Sequence, residues 1–534
     1  MSVLTVFGPP GTGKTQKAIK FVEEELGRGI YPQEISFVSF TRAAAYNARD
    51  RTIEAFPEYS PDDFLYFRTI HSICFRELNL SPENIFNDKL KEFSAQYGYA
   101  FSADGDEDMF SQNFSERVWN TDADAFESFI SWQKNKMVWD FDEAYRCFIR
   151  QHTYLQDTYL PDNFTKPRLQ LYISRREEFK EKNRLWDYCE LVIECLRRNV
   201  LPRGIKVLIS DESQDLSPLL FDWVKRVSET AEKTYIFGDC YQALFSWQGA
   251  EPDLMLSFPA DERITLRQSY RCSQAVHDLS RKIVEKRFKT RYPDDDFLPT
   301  PKKGEIVRAA TFDYLPYEET FYLFRTRYLL NQAYLTLISR GIPLVTRRGR
   351  WSPLDQRAGK ADVFASLLKL SREEPITLAE LKKIVSFLPQ KDWLERGTKK
   401  EIEALQPSQQ LIEWHDLPEY GFTEKFLSYL TPDSFLEPLR EKEFPAWVKS
   451  YLRKVFDKYG IRGIKHPTLQ LGTYHSVKGL EANRVVIDPT YTRLPYQNLA
   501  GGNEEEHRLM YTAITRAKDK IIILRPSSDQ YYIL

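Results

Sequence analysis

Short apolar runs recur along the chain, each closed by turn-forming or polar residues: Val3–Phe7, Ile35–Phe40, Val207–Ser210, Tyr235–Phe237, Val485–Ile487 and Ile521–Leu524. Runs this short without polar alternation predict buried parallel strands. Helical spacing lies between them. Leu330, Tyr334, Leu337 and Ile338 form one such face, which stops at Gly341, and a further strand is expected at Ile342–Val345. Alternating strand and helix signals predict an α/β fold.

Two stretches break the alternation. Residues 76–200 are rich in aromatics at helical spacing, as in Phe126, Phe129 and Ile130. Residues 355–460 look all-helical: Trp447, Tyr451, Val455 and Tyr459 follow at four-residue steps, and Leu378, Leu381, Ile384, Val385 and Leu388 make a second stripe. Both read as helical insertions within α/β domains, with the stripes as packing faces. The acidic clusters Asp104–Asp108 and Asp294–Asp296 read as solvated loops.

Composition narrows the class. The chain has 534 residues, which at ~150 residues per domain suggests three or four domains. Lys+Arg 75 against Asp+Glu 77 gives a net charge of −2, so any nucleic-acid footprint must be a local basic groove. No apolar run reaches the ~20 residues that span a bilayer. No membrane association is therefore expected, and the N-terminus, with no basic leader and no cleavage site, predicts no secretory signal. An intracellular place is expected instead: cytoplasmic and nucleoid-associated, or nuclear, according to the source. None of the six cysteines forms a C-x-x-C pair, which argues against zinc or iron–sulfur sites.

The first strand signal runs into Gly8-Pro9-Pro10-Gly11-Thr12-Gly13-Lys14-Thr15, a full G-x-x-x-x-G-K-[ST] pattern, and a helical pattern follows. The glycines let backbone N–H groups close on phosphates. Lys14 is placed to reach the β- and γ-phosphates, and Thr15 to hold Mg2+. Hydrolysis needs a second carboxylate site, and Asp211 and Glu212 supply one after the Val207–Ser210 run. Asp211 suits the magnesium ion through water, and Glu212 suits activation of the attacking water. A third strand signal ends at Gly238-Asp239-Cys240-Tyr241-Gln242, where Gln242 is placed to sense the γ-phosphate. Phe245 and Trp247 follow. Aromatics beside a triphosphate site are either core or a stacking platform for bases.

These segments resemble the superfamily 1 helicases of the UvrD/Rep/PcrA type. Asp211-Glu212-Ser213-Gln214-Asp215 is similar to the family's D-E-x-Q-D box, and Gly238–Ala250 to its coupling motif. Further matches follow the family's order: Ser39–Ala45, Phe67–Ser72, Leu185–Tyr188, Leu266–Arg271, Phe324–Thr326, Gly472–Glu481 and Glu505–Ala517. The resemblance implies two RecA-like P-loop motor domains, each with a mainly helical insertion. On that pattern the first motor is 1–75 and 201–265 with its insertion at 76–200. The second is 266–354 and 461–534 with its insertion at 355–460. ATP is the implied nucleotide. Tyr270 would stack on adenine, Glu481 would face the ribose, and Arg271 would contact the γ-phosphate. Arg516 would be an arginine finger supplied from the other motor. Single-stranded DNA would meet Phe40, Thr41, Thr69, His71, Arg325, Thr473 and His475, together with Phe245 and Trp247. For Phe40 a core position, and for His475 a structural one, are the competing readings. For Arg271 and Arg516 the competing reading is a surface ion pair.

Three departures qualify the resemblance. Only seven residues precede Gly8, leaving no room for the family's adenine-reading glutamine segment. Gln16 stands where relatives commonly place an arginine against the base, and Gln248 where an arginine to DNA is common. The second insertion looks short. The activity implied is an ATP-dependent translocase on single-stranded DNA and at single/double-strand junctions, moving 3′ to 5′ and unwinding duplex. The alternative is a DNA-stimulated ATPase that remodels protein–DNA or branched structures with little unwinding. A nucleotide-switched binding protein or small kinase is a third class. Protein partners are not indicated.

Overall fold

The computed structural model describes residues 2–101, 121–155, 160–161, 163–289, 291–292, 295–347, 352–355, 359–406 and 411–534. Of the acidic clusters named above, Asp104–Asp108 and Asp294 lie outside the described residues. The described chain separates into two compact units, one of residues 1–308, 478–481 and 489–534, the other of 309–477 and 482–488.

The first unit is organised by a parallel sheet of β1 (Ser2–Phe7), β2 (Ile35–Ser39), β3 (Tyr66–Arg68), β4 (Val207–Asp211), β5 (Lys233–Gly238) and β6 (Glu262–Thr265), in the order β3-β2-β4-β5-β1-β6. Every residue of β2 and β4 is buried, as parallel strands covered on both faces require. Val6, Phe37, Phe67, Ile209 and Phe237 pack with Ile19 and Phe21 of helix α1 (Lys14–Gly27) into one core. All six strands run the same way, so their C-terminal ends share one edge of the sheet. Phe7 leads there into the glycine loop, Ser39 into Phe40 and Thr41, Arg68 into Thr69, Asp211 into Glu212, Gly238 into Asp239, and Thr265 into Leu266–Arg271. In open α/β sheets that edge is where ligands bind.

Helices α2 (Arg42–Ala55) and α3 (Ile70–Glu77) follow β2 and β3. Then α4 (Leu90–Tyr97), α5 (Asp122–Lys136), α6 (Phe141–Leu155), α7 (Lys166–Asn183) and α8 (Tyr188–Arg198) intervene before β4. Phe86, Phe93, Phe126, Phe129, Phe148, Tyr172 and Phe179 fill the core of this helical stretch. A buried ionic cluster ties it together. Arg176 donates to Glu127 at 2.7 Å and to Asp187 at 2.8 Å, Lys134 meets Asp187 at 2.6 Å, and the Arg176 guanidinium lies 4.4 Å from the Phe86 ring centre. Asp187 also caps α8, accepting from the Glu190 N–H at 2.9 Å.

The first unit also contains β7 (Glu305–Ala309) but for its last residue. The second unit carries β8 (Thr320–Phe324), β9 (Leu344–Thr346), the short pair β10 (Ile376–Thr377) and β11 (Leu411–Ile412), β12 (Leu469–Thr473) and β13 (Ala482–Ile487). Parallel pairing gives the order β13-β8-β12-β9. Strand β14 (Ala517–Leu524) returns to the first unit beside β7. The expected helix before Gly341 forms over Arg327–Ser339, with Leu330, Tyr334, Leu337 and Ile338 buried.

Two expectations for the second insertion are corrected. It is not all-helical, because Ile376 and Thr377 pair antiparallel with Ile412 and Leu411. Trp447 is not on the packing face: it is 48% exposed on the helix Ala446–Lys465, whose buried positions include Val448, Tyr451, Leu452 and Val455. A strict four-residue step drifts around a 3.6-residue turn, so Trp447 leaves the stripe that Tyr451 and Val455 keep. Among the described residues no helix is long and apolar enough to cross a membrane.

Candidate nucleotide and strand site

The glycine loop is shaped by two residues in the left-handed region, Gly11 (φ 71°) and Gly13 (φ 78°). A side chain at Gly11 would put its Cβ 2.4 Å from that of Arg271, and one at Gly8 would fall 1.9 Å from Lys14 Cγ. The cradle therefore tolerates no Cβ at either place. Lys14 folds back over the loop, its Nζ donating to the Gly8 carbonyl at 2.6 Å. Thr15 Oγ1 donates to Asp211 Oδ2 at 2.9 Å. A hydroxyl and a carboxylate thus face each other beside the lysine, and hard oxygen donors of this kind fit a magnesium ion that keeps waters and phosphate oxygens as its other ligands.

Asp211 is buried at the end of β4. Burial, with the neighbouring Glu212 adding to it, pushes its carboxyl up to about 6. Glu212 takes a left-handed conformation (φ 55°) that turns its side chain out of the strand path. Burial opposes its ionisation, yet Lys478, Lys14 and the Gln214 amide outweigh that and hold the carboxyl below the usual range. Gln214 Nε2 donates to Glu212 Oε2 at 2.5 Å, and Lys478 Nζ stands 3.8 Å from the same oxygen.

The segment after β6 closes on the loop. Ser269 Oγ donates to the Pro10 carbonyl at 2.8 Å and the Tyr270 N–H to the Gly11 carbonyl at 2.8 Å. The Tyr270 ring is left 77% exposed, open to a planar ligand. Arg271 Nε donates to Glu481 Oε2 at 2.8 Å, and Lys518 meets the other Glu481 oxygen at 2.8 Å. Arg516 is no surface residue: it is 2% exposed. Its Nη2 donates to Gln242 Oε1 at 2.6 Å and its Nε to the Thr512 carbonyl at 2.9 Å. Gln242 in turn donates to Asp239 Oδ2 at 2.6 Å. Burial, and then Arg271, push Arg516 down to about 9, still charged at neutral pH.

The strand-facing candidates divide between the units. In the first, Phe40 and Phe245 are half-buried and stack on each other, with ring centres 4.6 Å apart and planes 23° apart. Trp247 sits in the short turn Ser246–Gln248, whose Ser246 carbonyl accepts from Gln151 of α6 at 2.8 Å. Thr41 and Thr69 have structural work already, capping α2 and α3 by accepting from the Ala44 and Ser72 N–H groups. His71 lies edge-on to Tyr188 at 6.1 Å, and burial pushes its imidazole down to about 4, so it is neutral at pH 7. In the second unit, Arg325 follows β8 and Thr473 ends β12, and these strands are paired with Phe324 opposite Thr473. Arg325, Thr473 and His475 are all buried there.

Two neighbours of the site are not among the residues given a role by the motifs, although Lys478 lies within the Gly472–Glu481 match. Arg51 of α2 donates to Gln16 Oε1, placing a guanidinium beside the position where an arginine is otherwise missing. Lys478 forms an ion pair with Asp215 and donates to the Gln242 carbonyl at 2.8 Å. Both partners lie more than 230 residues away, at 263 and 236 residues, a separation that no local pattern encodes.

The UvrD/REP helicase N-terminal domain family matches residues 1–263, and the UvrD-like helicase C-terminal domain family matches residues 458–527. A "Probable DNA helicase II homolog" of Mycoplasma pneumoniae is 23% identical, covering 97% of this chain and 81% of its own length. The "Gabija protein GajB" of Bacillus cereus is 24% identical over 68% of this chain and 76% of its own. The "ATP-dependent DNA helicase PcrA" of Leuconostoc citreum is 23% identical over 53% of this chain and 37% of its own. With the glycine loop, the D-E-x-Q-D box and the later motifs in family order, the chain belongs to the superfamily 1 helicases of the UvrD/Rep/PcrA type, a family of ATP-dependent DNA helicases.

Proposed function

We propose that this protein translocates 3′ to 5′ on single-stranded DNA, couples each step to hydrolysis of one ATP, and separates duplex at single/double-strand junctions. The observation that carries the reading is the convergence of Lys14, Glu212, Gln242, Arg271 and Arg516 around one glycine cradle, with the Phe40–Phe245 stack at the same edge of the sheet.

In this reading Lys14 leaves the Gly8 carbonyl to meet the β- and γ-phosphates. Thr15 and Asp211 hold magnesium, which when bound neutralises phosphate charge. Glu212 takes the proton of the attacking water. Lys14, Arg271 and Arg516 stabilise charge developing on the γ-phosphoryl oxygens. Gln242 reports that group's presence through its bonds to Arg516 and Asp239. Tyr270 stacks on the base and Glu481 meets the ribose. Bases stack at Phe40, Phe245 and Trp247, a contact class giving ~1–3 kcal/mol per base. Within the first unit Thr41, Thr69 and His71 contact the strand, Thr41 and Thr69 in addition to capping, and within the second unit Arg325, Thr473 and His475 do so. Two RecA-like motors with the boundaries given by the sequence would carry these groups.

Strand displacement on duplexes with a 3′ or a 5′ single-stranded tail tests the direction. Product from the 3′-tailed duplex is expected. Product only from the 5′ tail would refute the polarity, and stimulated ATP turnover without product from either would favour remodelling over unwinding.

A further inference from the structure

Trp247 projects from the turn Ser246–Gln248, and the helical insertion holds that turn from both sides. After the turn, Gly249 takes a left-handed conformation (φ 100°) against α5, where an added Cβ would come 3.2 Å from the Asn135 Cβ. Asn135 Oδ1 accepts from Ser217 Oγ at 2.9 Å, and Lys136 meets Glu251 at 2.5 Å. At the start of the turn, Gln151 of α6 reaches the backbone itself. Its Nε2 donates to the Ser246 carbonyl at 2.8 Å, and its Oε1 accepts from Trp132 Nε1 of α5 at 2.9 Å. That carbonyl is the one that closes the turn, accepting also from the Gly249 N–H at 2.9 Å. Both its lone pairs are therefore engaged.

The two partners fix the chemistry of the residue between them. An indole N–H only donates and a carbonyl only accepts, so the bridging side chain must accept at one end and donate at the other. Glutamine does both without carrying charge. Trp132 is 3% exposed and lies edge-on to Phe148 of α6, ring centres 5.6 Å apart. The anchor of the relay thus belongs to the packed core of the insertion.

We propose that Gln151 is a positioning residue for strand binding: it tethers the Ser246–Gln248 turn to the insertion so that Trp247 is presented to a base in one geometry. Without Gln151 the turn keeps its own Ser246–Gly249 bond but loses its tie to α6, and Trp247 gives up part of its stacking. The proposal rests on the role given above to Trp247.

Binding of fluorescein-labelled oligo(dT) is followed by anisotropy across a salt series for the wild type, Gln151→Met, Trp247→Ala and the Gln151→Met/Trp247→Ala pair. No binding by the wild type, or wild-type affinity in Trp247→Ala, would remove the role of Trp247 itself and the proposal with it. Where Trp247→Ala weakens binding, Gln151→Met, neutral and of similar length, should weaken it about five-fold. The slope of log K against log[salt] should not change, because no phosphate contact is lost. The pair should bind no more weakly than Trp247→Ala alone. In ATP turnover, the oligo(dT) concentration for half-maximal stimulation should rise about five-fold while kcat at saturating oligo(dT) stays within about two-fold. Wild-type affinity in Gln151→Met, losses that add in the pair, or a lower kcat at an unchanged half-saturation overturns the proposal. If Gln151→Met does not fold, Trp132→Phe decides by the same readings, since it deletes the N–H that orients the Gln151 amide. Binding about two-fold weaker supports the relay, and unchanged binding overturns it.

Discussion

Arg516 donates from Nη2 to Gln242 Oε1 at 2.6 Å although 274 residues separate them. The bond joins the last family motif to the coupling motif, and both groups are buried. An arginine held this way is pre-aimed, so little reorganisation remains when charge develops on a phosphoryl group.

Replacing Arg516 by lysine keeps a charge but loses the fork that spans Gln242 and the Thr512 carbonyl. The kcat for ATP hydrolysis should fall by about 10³-fold, the lower range for arginine fingers. Steady-state kinetics alongside a nucleotide-binding titration check this: the loss should sit in kcat, with affinity for ATP reduced far less.

Gly11→Ala meets two obstacles, a positive φ and a Cβ 2.4 Å from that of Arg271. The variant should lose nucleotide affinity while the rest of the fold survives. A fluorescent ATP analogue titrated into the variant, with circular dichroism as the folding control, reads this out. Gly27→Ala, where a Cβ meets nothing within 4 Å, should bind like the wild type.

Stability should fall with pH in a defined window. His71 and His507 are each pushed down to about 4 by burial, which Arg287 and Arg508 reinforce at His507 and which outweighs the opposing Asp187 at His71. Between that value and the unfolded value of ~6.5 the unfolded chain binds more protons than the folded one, so stability is present above the window and lost as pH falls through it. Urea unfolding from pH 7.5 to 4.5 should show this slope, and His507→Gln should flatten it.

In the helical insertion, Asp187→Ala would take one carboxylate from buried Arg176 and Lys134, which keep Glu127 and Glu190, and would remove the cap of α8. Because those partners remain, the loss should fall below the ~3–5 kcal/mol of a buried pair broken outright. Thermal unfolding should shift markedly. Exposed Lys166 with Asp142 offers the contrast, since solvent screens such a pair and its removal should hardly move the transition.

The fold was most legible where burial leaves no choice. Ile35–Ser39 and Val207–Asp211 are buried throughout, and their apolar runs announce them. Glu262–Thr265 and Glu305–Ala309 are edge strands with charged, exposed positions, so no apolar run marks them. Leu469–Thr473 hides behind Gln470 and Gly472. Thr320–Phe324, five buried residues in a row, is an apolar run of the same kind, and its last residue opens the Phe324–Thr326 match. The phosphate cradle was legible because backbone geometry demands its glycines. The Arg51 contact and the partners of Lys478 were not, since only the fold brings them close.

The central claim is tested most directly by ATP turnover with and without single-stranded DNA, in the wild type and in Lys14→Ala. Turnover should rise severalfold with DNA in the wild type and be lost in the variant under both conditions. Turnover by the wild type that is indifferent to DNA would contradict the account.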